Sequence, residues 1–205
     1  METTDQKRRH ILDAAAKRFA HFGLSKTTMN DIAKDLSYSK ALLYYYFPNK
    51  DELYTNVFID IIEKMAAEID QGIQKQESVE NAILFYLEKR QDFIVHYYKL
   101  LVQPPKTRQT LSPKLKATYM QSLQKEVKRI EFIFEQGCQR GEIQLEDPEK
   151  TAKLLLAAIS GLRFSSFQLA PPSSFPDLNQ LQDIYTQSKA LASIFCKGLS
   201  CSNVR

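Results

Sequence analysis

The stretch from Thr27 to Lys50, TTMNDIAKDLSYSKALLYYYFPNK, constrains the chain more than any other. Two short helical patterns lie here with only Ser37-Tyr38-Ser39 between them, and Pro48 stops the second just before a new helix start. That is the sequence shape of a helix-turn-helix. In the first helix, Thr28 and Asp31 have the spacing of a capping box, with Thr27 as the alternative cap. Ile32 and Leu36 share one face, and the small Ala33 beside them lets another helix approach closely. In the second helix, Leu43 and Phe47 point inward together at i and i+4. Lys40, Leu42, Tyr44, Tyr45 and Tyr46 are then left for the outer and flanking faces. Phenolic hydroxyls and a lysine at a helix start are ordinary donors to phosphate oxygens, so this face fits a duplex backbone. The plainer alternative is that the tyrosines line a small wet contact between helices.

Charge placement bears on that choice. Residues 1–50 carry nine Lys/Arg against five Asp/Glu, whereas the remaining residues carry 19 of each, so the net +4 lies wholly in the segment with the helix-turn-helix. A phosphate-binding surface has that electrostatic footprint. Lys7-Arg8-Arg9 fits either a phosphate backbone or a solvated helix end.

The same residues resemble a known family. Arg9-His10-Ile11-Leu12, Ala15, Phe19, Gly23, Thr27-Thr28, Asp31-Ile32-Ala33, Ser39-Lys40, Leu43-Tyr44, Tyr46-Phe47 and Lys50-Asp51-Glu52-Leu53 look like the N-terminal signature of TetR/AcrR transcriptional regulators. The chain departs from that pattern at Ser37 and Ala41, where the family often has glycine, and at Leu42, where it often has a small polar residue. Serine at a turn that wants positive φ carries strain that glycine avoids. Leucine at 42 can touch a thymine methyl but cannot hydrogen-bond a base edge. The resemblance implies that Thr27, Thr28, Ser39, Lys40, Leu42, Tyr44, Tyr45, Tyr46 and Lys50 form the DNA-binding set. Within it Lys40, Tyr44, Tyr46 and Lys50 mainly hold phosphate, Thr28 and Ser39 assist, and Tyr45 approaches bases.

The rest of the chain reads as helix. Asp5 to Phe22 is amphipathic and stops at Gly23; a long helix after Asn49 runs to about Gln71 with Leu53, Val57, Ile61, Met65 and Ile69 every four residues. That helix joins the basic head to everything C-terminal and is the natural mechanical link between them. Glu77 to Leu101 reads as one helix buried on most faces. Gln103 to Arg108 is a loop, Ser112-Pro113 restarts a helix that continues with an interruption to Arg140, and Asp147-Pro148 opens an apolar helix to Leu169. Pro171 to Pro176 is a second loop, and the last helix is capped by Asp177 with Gln180 at its third position. No segment alternates like a strand. The expected architecture is all-α with about nine helices, divided into a DNA-binding domain at 1–48 and a ligand-binding and dimerisation domain at 49–205.

Residues 130–163, containing EQGCQRGEIQLEDPEKTAKLLLAAISGL, also resemble the later part of TetR-type regulators. That likeness implies a dimer interface in the last two helices, for which Ala157, Ala158, Gly161, Ile184, Leu191, Ile194 and Phe195 are the candidates. The apolar surface on these helices exceeds what one head domain covers, and the small residues permit close approach. Aromatic side chains of the C-terminal part are either ordinary core or the lining of a chamber. The resemblance favours a chamber among Tyr86, Phe93, His96, Tyr97, Tyr119 and Phe164 for an apolar or aromatic effector.

Competing chemistry is thin. Glu88, Asp92 and His96 stand at i, i+4 and i+8, but three ligands from one straight helix rarely close a coordination sphere, and a polar stripe is the simpler reading. HExxH, P-loop, GxGxxG and nucleophile-elbow patterns are missing, so neither an enzyme nor a cofactor is expected. Cys138, Cys196 and Cys201 form no CxxC pair, the start METTDQKRRH is too charged for a secretory leader, and Arg163 ends the longest apolar run short of a membrane span. A cytoplasmic protein with no membrane partner is expected. The reading is therefore a homodimeric regulator, most often a repressor, released from a palindromic double-stranded operator by a small effector. A non-DNA helical carrier or enzyme, or a helical adaptor, is the alternative.

Overall fold

A computed structural model of the chain describes residues 3–101, 113–168 and 177–200. Among them all regular structure is helical, in nine helices. These are α1 (Thr4–Phe22), α2 (Met29–Asp35), α3 (Lys40–Tyr46), α4 (Lys50–Ile73), α5 (Val79–His96), α6 (Tyr98–Leu101), α7 (Pro113–Gln139), α8 (Pro148–Gln168) and α9 (Leu178–Leu199). One isolated bridge between Ile143 and Ser200 is the extended pairing found among these residues. The loops read at 103–108 and 171–176 lie outside the described residues.

The helices form two compact units, one of Met1–Lys64 with His96–Tyr119, the other of Met65–Val95 with Met120–Arg205. In the first, α1 buries Ile11, Leu12, Ala15 and Phe19, the stripe that its periodicity dictates. They share a core with Ile32 and Ala33 of α2, Leu43 of α3, Phe47, and Leu53, Val57 and Ile61 of α4. Tyr54 meets Phe19 edge to face with ring centroids 5.7 Å apart, and its hydroxyl donates to the Leu100 carbonyl at 2.8 Å. Burial without a carboxylate or cation in play pushes the Tyr54 phenol up to about 12.

That contact accounts for a correction. The helix read as continuous from Glu77 to Leu101 ends at His96, and a separate turn, α6, follows Tyr97. Leu100 is buried, its N–H bonds the Tyr97 carbonyl at 2.9 Å, and its own carbonyl takes the Tyr54 hydroxyl. Lys99 of the same turn donates to the carbonyl of His21 at the end of α1. Tertiary bonds to α1 and α4 thus prevail over local helix propensity. The interruption expected before Arg140 is not found: α7 runs unbroken from Pro113 to Gln139.

In the second unit, α5 buries Val79, Ala82, Ile83, Tyr86 and Leu87, and α9 buries Leu181, Ile184, Ser188, Ala192 and Cys196 at three- and four-residue steps. Ile130, Ile133 and Phe134 of α7 and Ala152, Leu155 and Ile159 of α8 complete this core. Close approach requires glycine at 137, because a Cβ there would lie 2.2 Å from Cγ2 of Val79. The α5 N-terminus is capped from a distance: the Val79 amide donates to Oε2 of Glu142 at 2.7 Å. Two arginine side chains here are paired. Arg90 reaches Glu126 at 3.2 Å and donates to the Tyr86 hydroxyl at 2.9 Å, and Arg129 forks onto Asp70 at 2.6 and 3.1 Å. No helix among the described residues is long and apolar enough to cross a membrane.

Candidate nucleic-acid interface

The turn between α2 and α3 is a Schellman motif built on serine. Tyr38 N–H bonds the Ala33 carbonyl at 2.9 Å, Ser37 N–H bonds the Lys34 carbonyl at 3.1 Å, and Ser37 takes a φ of 55°. It is the one non-glycine residue with positive φ among those described, as expected where the family pattern has glycine. Each helix of the motif has its own cap. Thr28 Oγ1 accepts from the Asp31 amide at 3.2 Å, and Asp31 in turn accepts from the Thr28 amide at 3.0 Å and hydroxyl at 2.7 Å. The Thr28 hydroxyl, with its amide, holds the Asp31 carboxyl below its ordinary range. Ser39 Oγ accepts from the Leu42 amide at 3.2 Å and so starts α3. Arg18 of α1 forks onto Asp35 at the end of α2, which fixes the motif against its brace and lowers the Asp35 carboxyl.

Burial along α3 sorts its faces. Leu43 and Phe47 point into the core. At 100° per residue, the direction opposite them belongs to Ala41 and Tyr45, and Tyr45 is 77% exposed. Lys40 and Tyr44 form one flank, with the Lys40 ammonium 5.8 Å from the Tyr44 ring centroid. Half-buried Leu42 and Tyr46 form the other, and the Tyr45 and Tyr46 rings meet edge to face at 5.2 Å.

Two residues expected on this face have other partners. Thr27 is wholly buried, with its hydroxyl donating to the Gly23 carbonyl at 2.9 Å, so it packs beneath the face rather than on it. Lys50 donates to the carbonyls of Leu24 at 3.0 Å and Thr27 at 3.1 Å, which leaves one of its three N–H groups for phosphate. The basic start of α1 is also engaged. Arg8 lies over the Phe47 ring at 5.3 Å and donates to Asn56 at 2.9 Å, while Arg9 pairs with Asp60. Sequence reading missed the Lys50 brace, since nothing in local spacing ties a lysine to carbonyls more than twenty residues earlier.

The other predicted groups are placed as follows. Tyr86 is core, with burial pushing its phenol up to about 12, and Phe93 is half-buried. His96 and Tyr97 meet edge to face at 4.5 Å, while Tyr119 and Phe164 are exposed. Two cavities in the second unit have other linings. One of about 140 Å³ is formed by Ile73, Ala82, Phe132, Ile133, Gln136 and Arg140 among others. The other, of about 40 Å³, includes Leu87, Arg90, Ile159, Leu181 and Tyr185. Of the dimer candidates, Ala157, Gly161 and Ile194 are exposed; Ala158, Leu191 and Phe195 are half-buried, and Phe195 stacks on Phe134 at 6.3 Å. Ile184 is buried within the unit itself. Asp92 pairs with Lys89 at 3.4 Å, and Glu88 and Asp92 face Tyr185 closely enough to add to the burial that raises its phenol. No metal-holding group of three His, Cys, Asp or Glu occurs among the described residues.

A capped, tightly turned helix pair on a basic unit, with its second helix presenting lysine and tyrosine outward, defines a helix-turn-helix DNA-binding protein. Residues 11–57 match the family model for bacterial regulatory proteins of the tetR family. The chain is 26% identical to the HTH-type transcriptional regulator YhgD of Bacillus subtilis, over 87% of this chain and 94% of that protein. It superposes on a transcriptional regulator from Cytophaga hutchinsonii with a TM-score of 0.84 at 28% identity, covering 95% of this chain and 99% of the other. A Saccharomonospora viridis protein in complex with choline shares the fold at a TM-score of 0.68 and 19% identity, over 93% and 97% of the two chains. Residues 11–57 thus carry the N-terminal domain of tetR-family regulatory proteins, and the chain as a whole is similar to transcriptional regulators in sequence and fold.

Proposed function

We propose that the chain works as a homodimeric repressor that binds a palindromic operator through its residue 1–48 domain and leaves it when the 49–205 domain takes up a small apolar effector. The observation that carries the reading is the outward face of α3: Lys40, Tyr44 and Tyr45 all stand exposed there, on the part of the chain that holds the whole net charge of +4. Lysine and tyrosine side chains are ordinary donors to the phosphate oxygens of a duplex, so such a face suits one. Lys40, Tyr44, Tyr46 and the remaining N–H of Lys50 hold phosphate in this reading, with Ser39 assisting, whereas the amide and hydroxyl of Thr28 are both given to Asp31.

The dimer is supported by a second surface. Leu154, Ala157, Gly161 and Phe164 recur at steps of three and four along α8, all exposed, with Leu154 at 61% and Phe164 at 62%. Ile194 of α9 is 70% exposed. Apolar side chains this open along two helices fit a two-fold four-helix contact with a second copy. Two such copies would present two α3 helices to a symmetric site. The effector reading draws on the choline bound by a protein of the same fold, which makes small-molecule uptake by these helices a reasonable extension here.

Titrating salt against binding of duplexes that the protein selects from a randomised pool tests the interface. Lys40→Ala should weaken binding to all sequences alike and lower the magnitude of the log–log salt slope by about one. A changed sequence preference with the slope intact would show that Lys40 reads bases instead.

A further inference from the structure

We infer that this protein reads its operator mainly through thymine methyl groups, with Ala41, Leu42 and Tyr45 as the specificity-determining side chains and an A·T-rich half-site as the target. The inference rests on the proposal that α3 faces DNA, and adds what that face is able to distinguish. Opposite the buried Leu43 and Phe47 stand Ala41 and Tyr45, with Leu42 beside them. Two of the three are aliphatic, and the third offers a single hydroxyl. The polar groups of α3 are elsewhere: Lys40 lies on the flank with Tyr44 and over its ring, while Ser39, whose Oγ accepts from the Leu42 amide, caps the helix ahead of this face.

Major-groove discrimination by hydrogen bonds relies on paired donors and acceptors. Arginine or lysine reads guanine, asparagine or glutamine reads adenine, and a carboxylate reads cytosine. Among residues 40–46 none but Lys40 is of these types. What an aliphatic side chain can distinguish in the groove is the C5-methyl of thymine, which the other bases lack. Ala41 is short enough to let the helix approach closely, and Leu42 supplies the larger apolar contact. The Tyr45 ring adds apolar area, and its hydroxyl adds one hydrogen bond with no fixed choice between donor and acceptor.

The test removes the methyl and nothing else. Duplexes recovered from the randomised pool are remade with deoxyuridine in place of thymidine, one half-site position at a time, and affinity is measured with the unaltered protein. Loss of about fourfold per contacted methyl is expected, the magnitude of burying one such group. Leu42→Ala should bind more weakly and lose that sensitivity at one position, while Leu42→Met retains it; circular dichroism checks that both variants fold. Selective binding that ignores deoxyuridine at every position, or recovered sites dominated by conserved guanines, would overturn the inference while leaving DNA binding intact. Failure to recover any preferred duplex would overturn DNA recognition by α3 as well.

Discussion

Lys50 shows how one side chain can be misjudged when only its neighbours in sequence are considered. Beside Pro48 and at the start of α4, it has the position and charge of a phosphate ligand. Its ammonium nonetheless donates to the carbonyls of Leu24 and Thr27, which close the loop leading into α2. Charge-assisted bonds of this kind stabilise more than neutral ones, and removing the donor leaves two carbonyls in search of partners. Lys50→Met, which keeps the stem and discards the charge, should therefore lower stability by about 1.5 kcal/mol in the absence of DNA, measured by urea unfolding. An unchanged urea midpoint, with a salt slope reduced by about one, would assign Lys50 to phosphate alone. Ser37 makes the opposite point. Its strain was legible beforehand, since a helix-turn-helix needs a residue with positive φ at that place and serine occupies it.

Among the elements, local rules and tertiary contacts divide the explanation. The Thr28 and Asp177 capping boxes and the Gly23 stop lie where cap chemistry puts them, because each depends on residues within one turn. The Thr3 capping box with Gln6 escaped sequence reading because it begins two residues ahead of the expected helix start, and helix ends are the least determined part of a periodic pattern. The break at Tyr97 and the distal cap of α5 by Glu142 escaped it because their partners lie far along the chain. The site divides similarly. Which faces of α3 are open followed from spacing, whereas the burial of Thr27 followed from its bond to Gly23. For α8 and α9 the open apolar stripe carries its own test. Ile194→Asp leaves the folded subunit's core untouched, since that side chain is 70% exposed, yet would bury a charge in the proposed interface. Sedimentation at micromolar concentration should give monomers of the variant and dimers of the parent chain. A monomeric parent that still occupies a full two-part operator would remove the dimer from the account.

For the whole molecule, α4 carries the proposed coupling. It begins three residues after Phe47, which packs in the core with α3, and its first residue is tied through Lys50 to the loop before α2. A displacement of α4 therefore cannot leave the helix-turn-helix where it was: the Lys50 bonds and the Phe47 packing move with it or break. An effector changes DNA affinity only to the extent that it prefers the released arrangement, and the same factor must appear in the effector's own affinity when operator is added. That coupling is typically about 1–3 kcal/mol, or roughly 5- to 150-fold in affinity. A compound found by thermal shift should accordingly bind the free protein more tightly than the operator-bound protein by a factor in that range, measured by calorimetry with and without saturating operator. Lys50→Met should reduce the factor if the brace transmits the change, and leave it intact if Phe47 alone does so. Equal effector affinities in the two conditions would mean that the compound, however tightly held, does not control release.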